Sequence, residues 1–178
     1  LGETEGGQIW YWTYLSNVDV ALHGWRQPLT LGHFWSLAVE EQFYLLFPLI
    51  FVGGMALLSR RSTGYGQTAR RFIVVAFAGA IASTALMWFL FVPYEDPSRV
   101  YFGTDTRATG LLIGVGLAFL WQPWRFTRRL GDIGAAVLNV AGFAALVGLT
   151  LLLMRIGEYD IFLYQGGFFV VSTLTAVV

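Results

Sequence analysis

The sequence predicts an all-α, polytopic transmembrane helix bundle of about five spans, truncated at both ends. Three observations predict it. The 178 residues are 56% hydrophobic and only 12% charged, with a mean hydropathy of +0.62. A soluble domain carries about a quarter of its residues charged. Five apolar runs, each near the 20 or so residues a bilayer core demands, are parted by short polar loops. Arginines gather in two of those loops.

Composition also excludes. Net charge is zero and no basic stripe with interleaved aromatics occurs, so no nucleic-acid partner is expected. Without cysteine there is no disulfide, thiolate metal site or cysteine nucleophile. All eleven basic residues are arginine, which removes a lysine Schiff base and a P-loop. The acidic start, Leu1-Gly-Glu-Thr-Glu, is no signal peptide, and the end stops inside an apolar run. The expectation is an internal piece of one integral-membrane domain. Residues 1–31 form an extracytoplasmic or interfacial loop region, and residues 32–178 the transmembrane helices.

Taken in order, Ile9 to Leu15 is aromatic enough for a headgroup layer but too short to span. Asn17 to Pro28 reads as a loop. Phe34 to Leu58 is a first span, with Pro48 expected to kink it and Gly53-Gly54 beyond. Ser59 to Arg71 is polar. Phe72 to Val92 is a second span, followed by the acidic turn Pro93 to Arg99. Val100 to Trp121 is a third, in which Gly110 and Gly114 form a small-xxx-small pair suited to close helix approach. Gln122 to Leu130 is basic, Ile133 to Met154 a fourth span and Ile161 to Val178 a fifth.

Loops 59–71 and 121–131 hold seven of the eleven arginines. The positive-inside rule makes both cytoplasmic, in a multi-pass plasma-membrane or inner-membrane protein. His33, Glu40, Glu41, Asp105 and Arg107 then fall near the extracytoplasmic face.

These five carry the candidate chemistry. A carboxylate inside a membrane segment costs about 2.5–3.5 kcal/mol on the gentlest insertion scale. Glu40 and Glu41 lie within such a run. Spacings of three, four and seven put His33, Ser36, Glu40 and Tyr44 on one helix face, with Glu41 about 100° round. Glu40 is therefore expected to point toward a polar bundle interior. A histidine beside a carboxylate can position a hydroxyl and take its proton. Both glutamates could instead only hold helices together. Arg107 is the natural counter-charge: it pairs with Glu40 or Glu41, or binds an anionic group with its planar fork, or, like Asp105, simply pairs with other charges at the interface. Trp35, Tyr44, Trp88 and Tyr101 either stack on a sugar ring, line an acyl channel or simply pack. No HExxH or second nearby histidine suggests a metal site.

The stretch HFWSLAVEEQFYLLFP, His33 to Pro48, resembles the signature of the membrane-bound acyltransferase 3 family, O-acetyltransferase type. YFGTDTRATGLLIGVGLA, Tyr101 to Ala118, resembles a later span of that family, and the aromatic-asparagine stretch Tyr11 to Asn17 also fits. The resemblance implies acyl transfer, usually acetyl, from coenzyme A as donor substrate to a carbohydrate hydroxyl, with no bound cofactor. It implies a catalytic histidine in a span N-terminal to this sequence, and partners in those N-terminal spans, the lipid bilayer and a glycan acceptor. Matched residue by residue, it puts His33, Glu40, Glu41 and Arg107 in the catalytic group. Trp35, Ser36, Tyr44 and Asp105 fall in the substrate-binding group, and Gly110 in the later motif. His33 thereby becomes a supporting residue. The rival from another class is a secondary transporter with a Glu/Arg relay, which would show paired broken helices; only one clear break, at Pro48, is expected.

Overall fold

The computed structural model describes residues 9–24, 32–59, 65–121, 131–157 and 160–178. The arginines at 60, 61, 125, 128 and 129, on which much of the orientation rests, lie outside them.

The described residues are helical and contain no strand. In chain order they form α1 (Ile9–Trp12), α2 (Ser16–His23), α3 (Phe34–Ser59), α4 (Tyr65–Leu90), α5 (Ser98–Phe102), α6 (Thr104–Leu120), α7 (Gly131–Arg155), a π turn (Leu163–Gly167) and α8 (Phe168–Val177). The five predicted spans correspond to α3, α4, α6, α7 and the π turn with α8. Within them, Phe34–Leu57, Gly66–Leu90 and Gly131–Arg155 are long and apolar enough to cross a membrane. The interior is lean, because lipid-facing leucines and valines have no reason to turn inward. Ile133 is 83% exposed and Leu153 81%.

The closest partners are α4 and α6; α6 and α7 each also pack on α8. Small residues permit the α4–α6 approach, but not the pair expected. A Cβ on Gly114 would meet nothing, whereas one on Gly116 would press into the Phe77 ring at 2.8 Å. Gly110 faces Ser172 of α8 instead. Hydroxyls add to the contact: Ser83 Oγ donates to the Asp105 carbonyl at 2.6 Å, and the Thr84 and Thr109 hydroxyls lie 3.1 Å apart. One end is filled by Phe51, Phe72 and Phe119, the last two stacked at 5.3 Å. At the other end Met87, Val100 and Tyr164 are buried together.

Three local expectations are corrected. Asn17 to Pro28 is not all loop: α2 covers Ser16–His23, with Ser16, Asn17 and Val20 buried on one face. Tertiary partners for that face outweigh its mixed composition. Second, no break falls at Pro48, since α3 continues through it as one helix. Third, the backbone break lies in the last apolar segment, where Gln165 and Gly166 leave helical geometry and Gly166 takes φ +112°. Glycine alone adopts that conformation without cost.

Candidate functional site

The three stretches that carry the resemblance are joined by a closed ring of hydrogen bonds. Asn17 Nδ2 donates to Thr104 Oγ1 at 2.8 Å. That hydroxyl donates to Gln42 Oε1 at 2.7 Å. Gln42 Nε2 returns to Asn17 Oδ1 at 2.9 Å. The spare amide hydrogens reach main-chain carbonyls, Asn17 to Phe102 at 3.0 Å and Gln42 to Tyr14 at 2.7 Å. Tyr14 takes φ +55° in the turn between α1 and α2. Every amide hydrogen in the ring has an acceptor, so Asn17 can be wholly buried without the usual desolvation cost.

This ring fixes how α3 is turned. Gln42 shares a face with Trp35, Ala38 and Val39, and that face packs inward, with Ala38 and Val39 buried. His33, Glu40 and Tyr44 therefore face away from the described helices and are exposed, as is Glu41. The shared face read from spacing is real, and it is the face of α3 that the described helices leave uncovered. No hydrogen bond joins His33 to Glu40. Ser36 Oγ instead donates to the His33 carbonyl at 3.0 Å.

Arg107 pairs with neither glutamate. Its Nε donates to the Tyr101 carbonyl at 2.7 Å. The guanidinium carbon lies 4.2 Å from the Tyr101 ring centre, 4.1 Å from Phe168 and 5.2 Å from Trp35. Each ring presents a negative face to the cation. Trp35 is held in turn by the Phe102 edge at 5.0 Å. The π turn positions the other side: Tyr164 stacks on Phe91 at 4.3 Å and Phe168 follows on the next turn. The expected Arg107–glutamate ion pair thus gives way to an aromatic clamp.

Asp105 is engaged elsewhere. Arg99 Nη1 and Nη2 donate to its two oxygens at 3.0 and 2.7 Å. The hydrogen bond to Asp105 raises the already high pKa of Arg99. Gly103 makes this geometry possible, since a Cβ there would collide with the Arg99 guanidinium and lie 2.7 Å from Asp105 Oδ1. The pair, with Thr104 and the apolar Val18, Ala21 and Leu22, lines an open cavity of about 290 Å³.

Sequence comparison bears directly on this arrangement. Over 165 residues, 92% of its length, the chain is 38% identical to the O-acetyltransferase OatA of Staphylococcus aureus strains NCTC 8325 and COL. It is 36% identical, over the same share, to a protein carrying an O-acetyltransferase name in strain MRSA252. Over nearly its whole length the chain is similar to these O-acetyltransferases. The likeness bears out the acyltransferase resemblance read from the motifs. The chain spans about a quarter, 26%, of the length of these relatives. No family model matches it. No solved structure matches it. The transporter alternative finds no support among these O-acetyltransferase relatives.

In this O-acetyltransferase-like chain, site residues separate into two sets. Trp35 and Arg107 meet at the N-terminal end of α6, while Asp105, in the same turn, pairs with Arg99 on another side. His33, Glu40, Glu41 and Tyr44 line the outer side of α3. Ser36 lies between, turned back on its own helix. Among the described residues no cluster of histidine, cysteine or acidic groups is fit to hold a metal. Sequence reasoning missed Gln42 and Thr104 and used Asn17 only as part of a resemblance. Their signal was available as neutral polar groups within apolar or motif stretches, each needing a partner once buried.

Proposed function

We propose that this chain is part of a membrane O-acyltransferase that moves an acyl group, acetyl foremost, from a coenzyme A thioester to a hydroxyl of a carbohydrate or cell-surface glycan. The observation that carries this reading is the 38% identity to OatA along 92% of the chain. The ring of Asn17, Gln42 and Thr104 supports it, because it gathers the motif stretches at one place.

In this reading a base takes the acceptor hydroxyl's proton as the oxygen attacks the thioester carbonyl. The tetrahedral oxyanion then collapses and expels the coenzyme A thiolate, which accepts a proton. Glu40, Glu41, His33 and Arg107 form the catalytic group; Trp35, Ser36, Tyr44 and Asp105 bind substrate. Glu40 and Glu41 face outward from the described helices, toward a surface that we assign to the remaining chain of a protein about four times longer. A histidine from that chain is the expected base, with a glutamate orienting it. The same reading makes the protein multi-pass, with the arginine-rich loops cytoplasmic and the motif end near the outer face.

The test uses the full-length protein. Glu40→Gln and Glu41→Gln should each abolish O-acylation, read by mass spectrometry of surface glycans, while membrane insertion persists. Normal product in both variants sinks the site assignment. Membrane vesicles supplied with labelled acetyl-coenzyme A should transfer label to glycan, and failure with an otherwise active preparation would remove the proposed donor.

A further inference from the structure

Arg107 holds a positive charge without a counter-ion among the described residues. Its Nε donates to the neutral Tyr101 carbonyl, and the groups nearest its charge are the neutral phenols of Tyr101 and Tyr164. The nearest carboxylate in sequence, Asp105, is occupied by both terminal nitrogens of Arg99. Two positions apart on a helix, Asp105 and Arg107 also point to different sides. Glu40 and Glu41 are on the exposed side of α3, while Trp35, the α3 residue touching Arg107, is on its inner side.

Cation–π contacts partly offset desolvation but do not neutralise the charge. They also leave hydrogen-bond donors unused, since a ring face attracts the guanidinium plane rather than accepting its in-plane N–H groups. Trp35, Tyr101 and Phe168 thus confine the guanidinium, and no carboxylate among the described residues takes its planar fork of Nη groups. That fork matches two oxygens of a carboxylate or phosphate. A structural ion pair would look different, with the carboxylate in place and the rings unnecessary.

We propose that the Arg107 clamp is an anion-receiving site, and that it takes an oxyanionic group, phosphate or carboxylate, of a substrate. The three rings preset the fork, so little rotamer entropy is lost on binding. Only the naming of the anion's source rests on the acyl-transfer reading. There, a phosphate comes from the coenzyme A donor, and a carboxylate from an acidic sugar of the acceptor. Both present the same chemistry to the arginine.

Calorimetry on the full-length protein in nanodiscs tests this. The probes are coenzyme A, a uronic-acid oligosaccharide and its neutral counterpart, and the proteins are wild type, Arg107→Lys and Arg107→Gln. The site should bind one of the two anionic probes, with Kd weakened about tenfold or more in Arg107→Gln, as expected for a lost charged hydrogen bond. Arg107→Lys, which keeps charge but loses the fork, should fall between. The neutral sugar should not distinguish the proteins. Loss confined to coenzyme A assigns the donor, and loss confined to the acidic sugar assigns the acceptor. Equal affinities of wild type and the folded Arg107→Lys for both anionic probes would overturn the proposal, whether or not Arg107→Gln folds. Arg107 would then be neutralised by another part of the protein. Binding is read independently of turnover. A protein that binds through Arg107 but transfers no acyl group sinks only the acyl-transfer reading. Active protein with binding indifferent to Arg107 sinks only this one.

Discussion

At Gly103 a missing side chain decides where a charge goes. The Arg99–Asp105 pair closes across the space a methyl group would fill. Gly103→Ala should break the bidentate contact and widen the adjoining cavity. The pair itself is about half exposed, so its own loss is worth at most about 1 kcal/mol; the steric shift adds to that. A thermal melt of the full-length protein should therefore fall modestly for Gly103→Ala, and less so for Arg99→Gln. The ring residues behave otherwise. Thr104→Val conserves volume but leaves Gln42 without its acceptor-side donor and Asn17 without one acceptor. A cost of about 1–3 kcal/mol per stranded buried group is expected. A fall no larger than that of an exposed control, such as Thr150→Val, would show that the ring does not hold the segments together. These residues also mark the limit of legibility. Glu40 and Glu41 drew notice because charge in an apolar run is costly. Gln42, one position on, is neutral, and its partners lie 25 and 62 residues away. Hydrophobic spacing could rank the faces of α3 but not say which was inward.

At the scale of elements, close approach of α4 and α6 depends on Gly116. Gly116→Leu should force these helices apart and cost about 1–3 kcal/mol through overpacking. Gly114→Ala should be neutral or slightly stabilising, since nothing crowds that position and alanine is the better helix former. Reversed effects in the same denaturation assay would move the contact back to the Gly110–Gly114 pair read from spacing. The existence of the long helices was legible from apolar run length. The exact contact was not, because GLLIGVG offers three glycines and the partner ring, Phe77, is remote in sequence. The break was misplaced for a related reason. Proline announces a lost donor, yet α3 continues through Pro48. The break at Gln165 and Gly166 lies inside a run read simply as a fifth span, and the turn there packs on α4 while α8 packs on α6.

At the scale of the molecule, the proposed orientation follows from arginines rather than from packing. With no native cysteine in this chain, Arg60→Cys and Arg125→Cys in a cysteine-free full-length background provide single reporters. Both should resist a membrane-impermeant maleimide added from outside. Labelling of either in intact cells would invert the topology and carry the His33–Pro48 end to the other face. The class of the whole, helical and membrane-embedded, was readable from charge scarcity together with the length of the apolar runs. Its assembly order was not, and here the hydrogen-bonded ring has a consequence in time. Asn17 waits for Phe102, made 85 residues later. At about 5–20 residues per second that is roughly 4–17 s of synthesis. During this interval Asn17 and Gln42 must stay solvated or be sheltered by the insertion machinery. The first two spans can enter the bilayer independently, but α2 acquires its final place only after α6 has emerged. Slowing translation between codons 24 and 104 would prolong that unsheltered interval and expose the amino-terminal segment to proteolysis, without altering a single residue of the finished protein.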